Sequence, residues 1–205
     1  MAISLVTVGG KITAAIQNAI IGQVNAQGMT SVTATTVAGT GVSTGSGGSV
    51  VMVAATSATA NGVFSGSTPF HLKIRVTTSV AANLTLTLTV AGTPAVTLYD
   101  REVISGAGST APAAGQNVGV ASWPVSTNSI AGGRHIIDID LFDVAQPIAT
   151  GGQGVISSTD NPMTAASAMG FVALQHRTAI AYDGLQLTCA SGTMSGTIWV
   201  TRIAS

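Results

Sequence analysis

Two aspartates on one short segment are the strongest candidates for chemistry in this sequence. Asp138 and Asp140 are two residues apart, so a β-strand would place both carboxylates on the same face. Paired carboxylates can carry out the acid–base chemistry of a hydrolase or hold a hard cation such as calcium. A solvated strand face, on which charge discourages edge-to-edge aggregation, explains the same pair without any chemistry, and we favour it.

The serine, histidine and cysteine residues that could react lack the neighbouring sequence features that a catalytic or metal site requires. The segment 41–45 matches the nucleophile motif Gly-x-Ser-x-Gly, but it lies in a Gly/Ser/Thr run without the flanking strand and helix that the motif requires. His71, His135 and His176 are far apart and have no metal-ligand spacing. Cys189 is the single cysteine and suits a small buried position. The sequence therefore predicts no catalytic, metal or cofactor site.

Trp123, next to Pro124, is the best candidate for stacking against a ligand. The apolar face of a sugar packs on an exposed aromatic ring. An exposed ring at Trp123, or at Tyr99, would therefore indicate a host-surface carbohydrate-binding module. We favour a core position for Trp123 and keep the stacking role as the alternative.

The composition excludes several classes of protein. Only 7% of the 205 residues are charged, and seven Lys and Arg balance seven Asp and Glu, whereas about a quarter of residues are charged in ordinary domains. So few cations argue against a nucleic-acid-binding surface, which must neutralise phosphates. The absence of an apolar run of about 18 residues argues against a membrane-spanning helix. Net charge keeps free proteins apart in solution, and a neutral chain lacks this repulsion. The composition therefore favours a subunit that packs against copies of itself or against a larger assembly.

Residues 9–25 carry a helical pattern, with isoleucines at Ile12, Ile16 and Ile20 on one stripe. The pattern predicts a short amphipathic helix that either covers one end of the following domain or attaches and oligomerises the chain. Two or three turns are too few to decide between these roles. We assign residues 1–37 to this helix and attachment segment, and the Gly/Ser-rich residues 38–48 to a linker.

From residue 49 onward the pattern is one of short strands separated by turn residues. Leu84–Val90 alternates strictly between leucine or valine and threonine, and His71–Val76 and His135–Val144 alternate in the same way. No helical pattern separates these segments, which favours antiparallel pairing. We predict an all-β, antiparallel jelly-roll-like β-sandwich over residues 49–205, preceded by the short N-terminal helix, with an immunoglobulin-like sandwich as the structural rival.

Two regions resemble bacteriophage virion proteins. The opening Gly-Gly-Lys-Ile-Thr-Ala-Ala at residues 9–15, continuing through Asn-Ala-Ile at 18–20, is similar to the starts of many of these proteins. Residues 181–187 and 191–200, a Tyr-Asp strand followed by a Gly-Thr-Ile strand, resemble the last hairpin of phage fibre, minor tail and head-decoration sandwiches. Such domains often end in Val-Tyr-Gly-Tyr, where this chain has Val-Thr-Arg-Ile at 200–203.

The resemblance implies a non-enzymatic bacteriophage virion structural protein, assembled in the host cytoplasm. We expect a self-associating sandwich, with a trimer favoured, that docks through residues 1–37 on capsid or tail proteins. It would serve as a minor tail or fibre component, or as a head decoration or head fibre. The host cell surface is a further expected partner, whereas nucleic acid, membrane and cofactors are not.

Overall fold

The structure, a computed structural model, describes residues 30–107, 111–126, 132–159 and 168–203. The predicted helix over residues 9–25, with Ile12, Ile16 and Ile20, lies outside the described residues. The regular secondary structure of the described part of the chain consists of strands and one 3-10 turn at Ser46–Gly48. The strands are β1 (Thr30–Ser31), β2 (Thr36–Ala38), β3 (Val42–Thr44), β4 (Val50–Ala55), β5 (Ser57–Asn61), β6 (Phe70–Thr78), β7 (Leu84–Val90), β8 (Thr93–Pro94), β9 (Tyr99–Ala107), β10 (Ala113–Val120), β11 (Trp123–Pro124), β12 (Arg134–Phe142), β13 (Thr150–Thr159), β14 (Ala168–His176), β15 (Gly184–Cys189) and β16 (Met194–Arg202).

These strands form two antiparallel sheets. The larger, ten-stranded sheet has the order β10-β9-β14-β13-β12-β6-β16-β4-β3, and β1 also pairs with β16. The smaller, six-stranded sheet has the order β11-β7-β15-β5-β2, and β8 also pairs with β7. The prediction of an all-β antiparallel sandwich is therefore confirmed.

The core lies between the two sheets because their central strands, such as β6, β7 and β12, alternate between buried apolar residues and outward polar ones. Leu72 and Ile74 of β6 are fully buried from one side, and Leu84, Leu86 and Leu88 of β7 are fully buried from the other. All five belong to one continuous apolar cluster. Burying a side chain of this size contributes about 1.5–3 kcal/mol relative to leaving it in water.

A buried aromatic cluster ties the two sheets together near the start of β9. The rings of Tyr99 and Trp123 meet edge to face with centroids 5.0 Å apart, and His176 lies against Tyr99 at 4.2 Å. The backbone N–H of Leu88, in the smaller sheet, donates to the Tyr99 hydroxyl at 2.8 Å. Burial raises the pKa of the Tyr99 phenol far above its ordinary value, so the hydroxyl stays neutral.

Part of the segment predicted as a linker, residues 38–48, pairs with the sandwich: Ala38 and Val42–Thr44 are strand residues. Val42–Thr44 is the edge strand β3 and pairs with β4, while Thr36–Ala38 pairs with β5. Ala34, just before them, is buried in the core. Small Gly, Ser and Thr side chains suit an edge strand as well as a linker, so composition alone could not distinguish the two.

Candidate functional site

Asp138 and Asp140 lie on the outer face of the larger sheet, on β12, as their spacing predicts. The register places His71 of β6 directly beside Asp140 and Lys73 beside Asp138. The His71 Nδ1–H donates to Oδ1 of Asp140 at 2.8 Å, and its Nε2 lies 3.6 Å from Oδ1 of Asp138. One imidazole therefore faces both carboxylates.

This arrangement limits the chemistry that the two aspartates can do. Because each ring nitrogen of His71 faces one carboxylate, the imidazole competes with a cation for the same oxygen atoms. Within the described ranges, no group of three or more His, Cys, Asp or Glu side chains is arranged to hold a metal ion. The geometry favours a hydrogen-bonded strand face, the interpretation that needs no chemistry.

A shallow concavity of about 560 Å³ adjoins this cluster on the same face. It is lined by His71, Lys73 and Arg75 of β6 and by Trp199 and Thr201 of β16. Trp199 pairs with Lys73 in the register and is partly exposed. This place therefore combines two cations with an aromatic ring.

A larger concavity of about 790 Å³, the outer groove, lies farther along the same face. Its defining side chains come from β9, β10, β13 and β14: Glu102, Ile104, Gln116, Gln153, Val155 and Phe171. Asp140 lies at its border with the His71 cluster. The outer groove thus combines exposed apolar side chains with carboxylates and amides.

The outer side of the smaller sheet, the uncharged face, has a different character. Its outward side chains alternate with the buried leucines and alanines of β5, β7 and β15. They are Thr36, Ala38, Ser57, Thr59, Asn61, Thr85, Thr87, Thr89, Pro94, Pro124, Gln186 and Thr188. This set contains no ionisable side chain.

Polar groups on the uncharged face bond to one another. Asn61 donates from Nδ2 to the hydroxyl of Thr36 at 3.2 Å, and the Thr89 hydroxyl donates to Oδ1 of Asn61 at 3.2 Å. Gln186 donates from Nε2 to the Thr59 hydroxyl at 2.9 Å. The bond between Thr89 and Asn61 crosses β15 at Gly184, where a Cβ would lie only 2.5 Å from the Thr89 hydroxyl.

Trp123 does not have the ligand-stacking position considered for it. Its side chain is 0% exposed, and its indole N–H donates to the carbonyls of Asp100 and Gln175 at 3.0 and 3.1 Å. Tyr99, the other stacking candidate, is also fully buried. Both rings fill the core, the position favoured for Trp123, and neither is exposed for stacking against a ligand.

The remaining candidates are placed apart from one another. His135 and His176 are buried on the inner face of the larger sheet, and burial lowers the pKa of both, that of His135 to about 4. The Cys189 thiol is buried, donates to the carbonyl of Ser191 at 3.1 Å, and has a pKa raised by burial. Ser43, the central serine of the nucleophile motif, lies on the edge strand β3.

Sequence reasoning missed the approach of His71 to the aspartates and the outer groove altogether. Alternation placed Lys73 and Arg75 on one face of their strand, and His71 shares that face. The missing information was the pairing of β6 with β12, which joins residues 69 positions apart. No signal in a single sequence identifies such a pairing.

The fold and these surfaces define a β-sandwich whose two outer faces differ in charge; on the uncharged face Thr59, Thr87 and Thr89 are already buried within the chain. No protein-family model matches the chain, and none of the curated proteins matches it. In the part of the chain that the structure describes, no helix has the length and apolarity needed to cross a bilayer.

Proposed function

We propose that this protein is a non-enzymatic bacteriophage virion structural protein built on a jelly-roll sandwich. It self-associates, with a trimer favoured, and docks on the particle through residues 1–37. Its place is a minor tail or fibre component, or a head decoration or head fibre. The proposal rests on the resemblance of residues 9–20 and 181–200 to such proteins and on the character of the uncharged face.

The strand order supports a jelly roll at the centre of the sandwich. The run β4-β16-β6-β12 in the larger sheet lies opposite β5-β15-β7-β11 in the smaller one. Along the chain, β4, β5, β6 and β7 alternate between the two sheets, and so do β11, β12, β15 and β16, as in two interlocked Greek keys. The strands β13, β14, β9 and β10 extend the larger sheet beyond this eight-stranded unit.

The uncharged face is the observation that carries self-association. Cores of protein interfaces are depleted of charged residues, because burying an unpaired charge costs several kcal/mol. The outward side chains of β5, β7 and β15 carry no charge, and hydrogen bonds already satisfy several of their polar groups. Covering this face with a second copy therefore carries little desolvation cost.

A lysine in the middle of the uncharged face should prevent association. Thr188 lies on β15, the central strand of the smaller sheet, and is partly exposed. We expect the full chain to elute at close to three times its mass of 20.2 kDa, and the Thr188→Lys variant to be a monomer. Size-exclusion chromatography with light scattering at micromolar concentration measures both.

Thr77→Lys is the matched control, because Thr77 is an exposed threonine next to the end of β6, in the opposite sheet. This variant should keep the mass of the unmodified chain. A monomeric unmodified protein would contradict the proposal. An unchanged oligomer in Thr188→Lys would show that another surface mediates association.

A further inference from the structure

The outer groove contains two parallel rows of side chains that differ in polarity. In the first row, Val155 of β13, Phe171 of β14, Ile104 of β9 and Ala114 of β10 lie side by side in the register. The second row lies two residues farther along each strand than the first. It consists of Gln153, Ala173, Glu102 and Gln116. The rows are about 7 Å apart, since two strand residues span that distance. The surface is therefore amphipathic across its width.

The first row leaves large apolar side chains in water. Phe171 is 63% exposed and Ile104 is 60% exposed, although both lie in mid-strand within a ten-stranded sheet. A contiguous apolar stripe rimmed by polar groups marks a binding surface. The aromatic ring among them offers an open face for stacking.

The second row supplies hydrogen-bonding groups with unused capacity. Gln116 donates from Nε2 to a carboxylate oxygen of Glu102 at 3.4 Å, a long bond that leaves the other oxygen of Glu102 available. Gln153 is exposed and lines the groove, so its side-chain amide faces solvent there. Asp140 continues this row on β12. A carboxylate can accept hydrogen bonds from the hydroxyl groups of a ligand, and a side-chain amide can both accept and donate them.

We propose that the outer groove binds a neutral oligosaccharide. A pyranose has an apolar face that stacks on an aromatic ring and hydroxyl groups at its edge. Phe171 provides the ring, and Glu102, Gln116 and Gln153 provide hydrogen bonds to the hydroxyls. The volume of about 790 Å³ lies within the range of pockets that hold ligands of this size.

The charges of the groove exclude other occupants. Glu102 repels an anionic ligand, and no Lys, Arg or His is among the residues lining the groove; Asp140, at its border, is already bonded to His71. A second copy of the chain, or an apolar partner, would bury these carboxylates at a cost of several kcal/mol. The uncharged face carries no such penalty, so self-association and sugar binding belong to opposite sides of the sandwich.

This inference goes beyond the virion assignment and does not rest on it, because a monomer would present the same groove. The test is binding of the full chain to an array of neutral, amino and acidic oligosaccharides. Isothermal titration calorimetry with the strongest neutral binder then compares variants. We expect neutral glycans to bind, with Phe171→Ala and Gln153→Ala each weakening affinity about tenfold or more.

Met169→Ala is the matched control, since Met169 is 55% exposed on the same strand and face but does not line the groove. It should bind as the unmodified protein does. Thermal unfolding of all variants checks that these exposed substitutions leave the fold intact. Binding of acidic glycans alone, no binding at all, or equal affinity in Phe171→Ala would each overturn the proposal. So would a change in oligomer mass caused by Phe171→Ala, because the groove would then hold another copy.

Discussion

At the scale of single residues, burial decides the charge of the core histidines. His135 is 1% exposed, and its Nδ1 forms a 2.9 Å hydrogen bond with the Ser158 hydroxyl. Among the described residues, none bonds to its Nε2. Desolvation lowers the pKa of His135 to about 4, so the ring is neutral in the folded protein at neutral pH.

This shift predicts a loss of stability in acid. In the unfolded chain the pKa returns to about 6.5, so below that pH the unfolded state binds a proton that the folded state does not. The free energy of unfolding should fall as the pH drops from about 6.5 to about 4, by about 3 kcal/mol from His135. The lowered pKa of His176 acts in the same direction. Urea unfolding at pH 7 and about pH 4.5 measures this loss.

His135→Asn isolates the effect, because the asparagine amide can still bond to Ser158 but does not titrate. Its stability should fall by less than that of the unmodified protein over the same pH interval. Ser158→Ala is the control: it should lower stability at both pH values and keep the pH dependence. Equal losses in His135→Asn and the unmodified chain would contradict the assignment to His135.

At the scale of elements, the strands with the clearest alternation were predicted and the glycine-rich one was missed. Leu84–Val90 is a strand with the predicted bounds, because leucine and threonine on opposite faces satisfy both core and surface. Thr150–Thr159 has glycine at 151, 152 and 154, so its sequence shows no apolar face. Its strand structure depends on pairing with β12 and β14, which a local pattern does not contain.

Gly154 shows why this strand carries glycine. A Cβ there would overlap the carbonyl oxygen of Asp138 and lie 2.7 Å from the Cα of Ile139, so β13 approaches β12 too closely for a side chain. We predict that Gly154→Ala destabilises the protein by about 1–3 kcal/mol through overpacking. Thermal or denaturant unfolding measures the change.

Gly151→Ala is the control within the same strand. The nearest atom to its added Cβ is Cδ2 of Phe142 at 4.0 Å, an ordinary contact. The variant should unfold within about 0.5 kcal/mol of the unmodified protein. Equal destabilisation by both substitutions would mean that β13 does not tolerate an added Cβ at either position, and that the close approach of Gly154 to β12 is not the cause.

At the scale of the whole molecule, the outer faces of the two sheets differ in the number of charged side chains. Six of the described charged side chains lie on the outer face of the larger sheet: Lys73, Arg75, Asp100, Glu102, Asp138 and Asp140. The outward side chains of the smaller sheet carry no charge. Among the described residues of this chain, in which 7% of residues are charged, the two outer faces therefore differ in charge, and the two proposals assign a polar ligand to one face and contact between copies to the other.

Association through the uncharged face should be insensitive to salt. Screening weakens contacts between exposed charges as the Debye length shortens, but the uncharged face has no such contacts to lose. We predict the same oligomer mass from about 0.05 to 0.5 M NaCl, measured by light scattering. Dissociation by salt would place the interface on the charged outer face of the larger sheet.

The sequence by itself determined the all-β class and the inner face of the regular strands, because burial follows the two-residue period of a strand. The neutral composition, on which the proposed self-association rests, is also a property of the sequence alone. Only the tertiary structure decided which strands are neighbours, and hence that His71 meets Asp140 and that Phe171 lies beside Ile104. It also decided that Trp123 is enclosed while Phe171 is not. Strand pairing joins segments far apart in the chain, and the exposure of a side chain depends on what those distant segments cover.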